Sequence, residues 1–244
     1  MSESVTKPER TGADDPDLPP LHMTPFWRFG QQCCRFVCTT LCDLKCYDKH
    51  NVPLEGGALL LANHQSFLDP PFVASQLQRA VCFLARSTLF DVPVFGPVIR
   101  ALHAFPVERG KANIGAMKKT INVVQQGRCL LMFPEGTRTR NGEMKPLENG
   151  MALIIKKARV PVIPVGIDGG YEVWPRSRIL PTSGKVRVKY GKPLMLHDLD
   201  NKQIMGTVES EIRRLIAELR AMRAEESTTG TALVSRVRPP SAAT

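Results

Sequence analysis

Apolar residues along this chain fall into two patterns. Short unbroken runs, ALLLA at 58–62, VCFLA at 81–85 and CLLMF at 129–133, have the length and continuity of strands buried on both faces. A fourth such strand is expected at 162–166, and shorter ones at 43–48, 104–107 and 185–190. Elsewhere apolar positions recur every three to four residues, the period of a helix with one buried face. Ile114, Met117, Ile121 and Val124 mark a helix over 112–126 that Gly127 closes. Ile204, Val208, Ile212, Leu215, Leu219 and Met222 mark another over 201–224. Further helices are expected at 25–41, 70–78, 94–103 and 148–158. Strands alternating with helices specify an α/β fold, here a single domain with a mixed sheet covered by helices on both faces.

With 244 residues, 43% of them hydrophobic, the chain can bury one sizeable core. The expected organisation is a disordered acidic tail over 1–20, a helical segment over 21–46, a domain over 47–224 and a disordered tail over 225–244. Lys7 and Arg10 face five carboxylates in the first twenty residues, so the rest of the chain is more basic than the overall charge of +10. Such a body suits nucleic acid, anionic lipid or an acidic substrate. No Arg/Gly repeat and no aromatic-laced basic stretch points to nucleic acid, and none is expected as a partner. The first twenty residues do not resemble a signal peptide, and no run reaches the ~18 apolar residues of a spanning helix. Contact with a membrane would therefore be at its surface. Phe26-Trp27-Arg28-Phe29 and the segment to about Leu44 suit the headgroup boundary, and equally suit a helix packed on the domain.

Five cysteines cluster at Cys33, Cys34, Cys38, Cys42 and Cys46. One helix would have to wrap a single ion to use them as zinc ligands, so an apolar stripe is expected and no metal.

Two strings carry candidate chemistry, each directly after a strand and so at the edge where α/β sheets bind ligands. Asn63-His64-Gln65-Ser66-Phe67-Leu68-Asp69-Pro70 offers a base and a carboxylate. His64 and Asp69 are five apart and meet only if the chain turns between them. Asp69 before Pro70-Pro71 also reads as a helix cap, with one oxygen left to accept from His64. Phe133-Pro134-Glu135-Gly136-Thr137-Arg138 reads either as a tight turn with a local ion pair or as an anion cradle. Gly136 permits unusual dihedrals. No G-x-S-x-G elbow is present, and Ser66 lies too close to His64 on one loop for an acyl-enzyme to be expected.

These strings, in this order and about 70 residues apart, resemble the glycerolipid acyltransferase family, whose best-known members acylate lysophosphatidic acid. Ala104-Phe105-Pro106-Val107-Glu108-Arg109 and Val160-Pro161-Val162-Ile163-Pro164-Val165 resemble two further family blocks. The resemblance implies a catalytic pair, His64 and Asp69. It implies acceptor binding by Arg109, Glu135, Gly136, Thr137 and Arg138, with Arg86 able to reach the same anion. It implies transfer of a fatty acyl chain from acyl-CoA or acyl-carrier protein, without a cofactor, to a lysophospholipid, first of all 1-acyl-sn-glycerol 3-phosphate. Other acceptors, glycerol 3-phosphate or a lyso-aminolipid, and a non-catalytic lipid-binding protein of the same fold are the alternatives. The resemblance also favours membrane attachment, peripheral or monotopic and on the cytoplasmic face, for the 21–46 segment. In two places the chain departs from the family pattern. Glu108 stands where Asp is common, and Leu147-Glu148-Asn149-Gly150 lacks the basic residue many relatives carry there.

Overall fold

A computed structural model describes residues 22–107, 114–148 and 150–237. Seven strands form one sheet: β1 (Lys45–Tyr47), β2 (Ala58–Ala62), β3 (Val81–Arg86), β4 (Ala104–Val107), β5 (Cys129–Met132), β6 (Val162–Asp168) and β7 (Arg187–Tyr190). Their spatial order is β1-β7-β6-β2-β5-β3-β4. Every pairing is parallel except β6 with β7, so the sheet is mixed, as expected. The central position of β2, β5 and β6 explains their composition. Strands covered on both faces need apolar side chains at successive positions, and all residues of these three are buried.

The helices are α1 (Pro25–Cys42), α2 (Asp69–Ala74), α3 (Phe95–Ala101), α4 (Ile114–Gln125), α5 (Gly150–Ala158), α6 (Gly170–Val173) and α7 (Asn201–Val237). Leu59, Leu61 and Leu130 point into a core with residues of α4, α5 and α7, among them Val124, Ile155, Ile204, Val208 and Ile212. Leu60, Leu131, Ile163 and Val165 point to the other face, where they meet Cys38 and Cys42 of α1 and Phe72 and Val73 of α2. The cysteine stripe therefore runs from exposed Cys33 into the core, and all seven thiols are free. Burial pushes the Cys38 thiol up to about 12.

At the amino end of the sheet Arg79 donates to the carbonyls of Pro53, Glu55, Gly56 and Gly127, closing the turns that feed β2 and β5. The carboxyl end is left to the two motif loops.

Two expectations are corrected. Trp27, read as an anchor at a membrane boundary, is 3% exposed and packs near His103, because α1 turns that side towards the domain. Phe26, Phe29, Phe36, Val37 and Leu41 stay outside. The segment from 225, expected to be disordered, continues α7 as far as Val237. Its composition is poor in apolar residues, but a helix already propagated from a packed stem is extended at little cost. Ion pairs then hold it: Glu226 reaches Lys45 at 3.0 Å and the fully buried Arg187 at 2.6 Å, and Arg187 also meets Asp43 at 2.8 Å.

The Arg187 guanidinium, bonded to Glu226, holds this carboxyl down from 4.5 to about 2, with Lys45 assisting. The depressed value means that the pair's stabilisation is complete above the ordinary carboxylate range and is lost as pH falls from 4.5 towards about 2. Glu226→Gln should cost ~1–3 kcal/mol near neutral pH, between the limits for exposed and buried pairs. Denaturant titrations of both proteins should show the gap narrowing by about pH 3. An unchanged gap would assign the docking of this helix end to something other than its charge.

Candidate active site

β2 ends at Ala62, and the next four residues cross the carboxyl edge of the sheet before the chain turns at Phe67-Leu68 into α2. The side-chain amide of Asn63 replaces a strand pairing there. It donates to the Ile167 carbonyl at 2.8 Å and accepts from the Ile167 N–H at 2.7 Å. The loop is thereby fastened to β6. Gln65 adds two contacts, donating to the Gly142 carbonyl at 3.1 Å and accepting from the Gly170 N–H at 3.1 Å.

The turn brings His64 Nδ1 within 2.7 Å of Asp69 Oδ2. The same oxygen accepts the backbone N–H groups of Gln65 and Ser66 at 2.6 and 2.7 Å. With two donors already on Oδ2, the third partner must also donate. The neutral imidazole therefore carries its proton on Nδ1 and its lone pair on Nε2, the tautomer a general base needs. Asp69 does not cap α2, contrary to one part of the sequence reading. Pro70 and Pro71 lack N–H groups, so the first turn has few donors to satisfy, and the residue at the cap position is Leu68. Asp69 is fully buried, and a Cβ at Gly170 would stand 3.0 Å from its Oδ1. Glycine at 170 keeps that space open.

The second motif positions the first. Phe133 stacks on the His64 ring, with centroids 3.9 Å apart and planes 13° apart. Glu135 accepts the His64 N–H at 2.7 Å on one oxygen and the Lys145 N–H at 2.8 Å on the other. The Thr139 N–H donates to the His64 carbonyl at 2.8 Å. Ring, N–H and carbonyl of the base are thus all held from the β5 loop. Burial pushes the Glu135 carboxyl up, against the two backbone hydrogen bonds. Glu135, expected among the acceptor ligands, spends both oxygens inside the protein and orients a backbone.

Gly136 adopts φ +66°, where a Cβ would stand 3.1 Å from Glu148 Oε1, so the acidic residue that departs from the family pattern packs directly on the motif. Thr137 is half-buried beside it. The Arg138 guanidinium lies over the Phe67 ring, 3.3 Å from its centroid, which places the cation on the His64–Asp69 loop. Phe67 in turn packs against Trp174, with centroids 5.0 Å apart. Arg86 is exposed at the end of β3, on the same edge of the sheet. Arg109 lies outside the described residues.

Asn63, Gln65, Phe133, Thr139 and Gly170 were not singled out as functional from sequence. Position beside His64 marked the first two. Phe133 heads the second string and Thr139 directly follows it, whereas nothing local marked Gly170, whose partner Gln65 stands 105 residues away in the chain.

The family model described as Acyltransferase matches residues 43–168. A 1-acyl-sn-glycerol-3-phosphate acyltransferase of Bacillus subtilis is 25% identical over 200 residues, covering 79% of this chain and 96% of that protein. The enzyme so named from Streptococcus pneumoniae is 30% identical over 168 residues, 66% of this chain and 61% of its own. The chain spans about half of a chloroplastic Brassica napus relative, 52% at 26% identity. The crystal structure of the 1-acyl-sn-glycerophosphate acyltransferase PlsC from Thermotoga maritima superposes with a TM-score of 0.70 at 27% identity, covering 80% of this chain and 78% of that one.

Proposed function

The chain belongs to the acyltransferase family, and on that premise we propose that it moves a fatty acyl group from a thioester to the free hydroxyl of 1-acyl-sn-glycerol 3-phosphate. The donor is acyl-CoA or acyl-carrier protein. The observation that carries the reading is the 2.7 Å contact between His64 Nδ1 and Asp69 Oδ2, made on an oxygen that already accepts two backbone N–H groups.

His64 Nε2 takes the proton of the acceptor hydroxyl as its oxygen attacks the thioester carbonyl carbon. The tetrahedral adduct collapses, the C–S bond breaks, and the imidazolium returns the proton to the departing sulfur. Asp69 holds the ring and stabilises its cationic form, as a carboxylate does in a Ser-His-Asp triad. Direct transfer is supported by Ser66, the hydroxyl two residues from His64 in the chain. It is fully buried, its Oγ donates to the Trp174 carbonyl at 3.1 Å, and it accepts from the Leu68 N–H at 3.2 Å. It is spent on the loop and is not a nucleophile.

Arg138, on the Phe67 ring of the catalytic loop, serves the acceptor phosphate, and Arg86 stands at the same edge of the sheet. The acceptor's single acyl chain stays in a bilayer, and the enzyme meets it there by the outer face of α1. Phe29 and Phe36 are 69% and 70% exposed on that face, joined at helical spacing by Phe26, Val37 and Leu41. No helix among the described residues is long and apolar enough to cross a membrane.

The test is labelled acyl-CoA with a panel of lysolipids, read by product mass. Phosphatidic acid should be the main product. A product from a lyso-aminolipid alone would move the acceptor, and none from any lysolipid would remove the activity. Arg138→Ala should weaken use of the phosphorylated acceptor roughly tenfold to hundredfold, the value of one charged hydrogen bond of ~1.5–3 kcal/mol. A neutral lysolipid should suffer less. Equal losses would make Arg138 a support for the Phe67 loop.

A further inference from the structure

We propose that the loop from Trp174 to Gly184 is a second membrane-contacting element, one that dips Ile179 and Leu180 into an anionic lipid surface beside the active site. It goes beyond the α1 face, and it rests on the proposed lipid acceptor only for its purpose, not for its physics.

Ile179 and Leu180 are 88% and 71% exposed, adjacent to each other at a loop tip. Hydrogen bonds within the loop brace the backbone on both sides of this tip. The Thr182 N–H donates to the Val173 carbonyl at 2.9 Å and closes its base. Trp174 Nε1 donates to the Arg178 carbonyl at 3.1 Å. Arg178 Nη1 donates to the Glu172 carbonyl at 3.1 Å and to Thr182 Oγ1 at 2.9 Å. A loop braced at both ends that presents two large apolar side chains to water has a partner.

Charge and continuity identify that partner as a lipid surface. Between Val173 and Val186 the chain carries Arg176, Arg178 and Lys185 and no acidic residue. Cations flanking an apolar tip match anionic headgroups above acyl chains. The chain leaving the loop also joins the carboxyl end of α1, next to exposed Leu41. The Gly184 N–H donates to the Leu41 carbonyl at 3.2 Å and the Val186 N–H to the Cys42 carbonyl at 2.9 Å. On its other side Trp174 packs on Phe67, which carries Arg138. One contact surface thus runs from α1 through this loop to the acceptor cation. A second contact away from the α1 face would fix the orientation of the site towards the bilayer, which a single helix axis, about which the whole domain can tilt, does not.

The experiment uses the full chain and vesicles of zwitterionic lipid with and without anionic lipid, at low and high salt. Ile179→Ser with Leu180→Ser should lower partitioning roughly tenfold or more, as expected for withdrawing two partly inserted side chains, and the loss should persist at high salt. Arg176→Gln should lower partitioning only on anionic vesicles and only at low salt. Ile179→Trp, read by fluorescence quenching with chain-brominated lipid, should be quenched. Turnover of a water-soluble short-chain acceptor by the double variant should be unchanged. Unaltered partitioning, or an unquenched Ile179→Trp, overturns the inference. So does a loss confined to an acyl-carrier-protein donor, which would make the loop a protein-docking site, and so does a change in oligomeric state alone. Partitioning is read without turnover, so a chain that binds through this loop yet transfers no acyl group would refute the proposed function and leave the inference standing.

Discussion

His64→Ala should abolish acyl transfer and leave the fold intact. General base catalysis contributes roughly 10²–10⁴-fold, and no other group among the described residues is placed to replace the imidazole. The ring stacks on Phe133 with its side chain 12% exposed, so its loss removes a packing contact. Asn63, Glu135 and Thr139 nevertheless keep the loop fastened through amide and backbone bonds that do not use the ring. Steady-state turnover and thermal unfolding measured on one preparation check both halves. Near-normal turnover with an unaltered melting curve would sink the mechanism. Asp69→Asn should be nearly as severe, for a reason specific to this geometry. Oδ2 receives three donors, and an amide placed there either presents N–H groups to them or frees the Nδ1 proton to move. Turnover should fall at all pH values, and so should stability, since two buried backbone N–H groups lose part of their acceptor.

Glu135→Gln should produce the next-largest effect after those on the catalytic pair, although Glu135 touches no reacting atom. The substitution keeps the shape and turns one acceptor into a donor that faces either the His64 or the Lys145 N–H. A buried N–H left without an acceptor costs ~1–3 kcal/mol, so unfolding should come earlier in denaturant. If the His64 backbone shifts by an ångström, kcat should drop about 10²-fold with KM for the acceptor little changed. This split separates a positioning residue from a ligand. A rise in KM for the phosphorylated acceptor at constant kcat would return Glu135 to the binding role that the sequence resemblance assigned to it.

The strands were legible because burial on both faces leaves an unbroken apolar run. ALLLA at 58–62 and CLLM at 129–132 needed no tertiary information. The helix of α7 was equally plain from Ile204, Val208, Ile212, Leu215 and Leu219, all buried. Its end was not, because residues after 225 are held by ion pairs with Lys45 and Arg187, over 30 positions away in the chain. Phe26-Trp27-Arg28-Phe29 read as one aromatic unit, yet a helix rotates successive residues by about 100°, so Trp27 is buried while Phe29 is exposed.

The catalytic pair divides in the same way. Sequence determined that a histidine and an aspartate stand on one short segment after a strand, with two prolines directly after the aspartate opening a helix, because such constraints are local. Only the tertiary structure decided how that segment is held: Asn63 on β6, Glu135 and Thr139 on the His64 backbone, Phe133 under its ring and Gly170 beside Asp69. Each of these contacts pairs groups about 70 or more residues apart, and the partners are backbone atoms, glycine or aromatic faces. Backbone atoms are the same in every residue, so a side chain chosen to bond one leaves no complementary residue at the far end of the contact for a sequence to display.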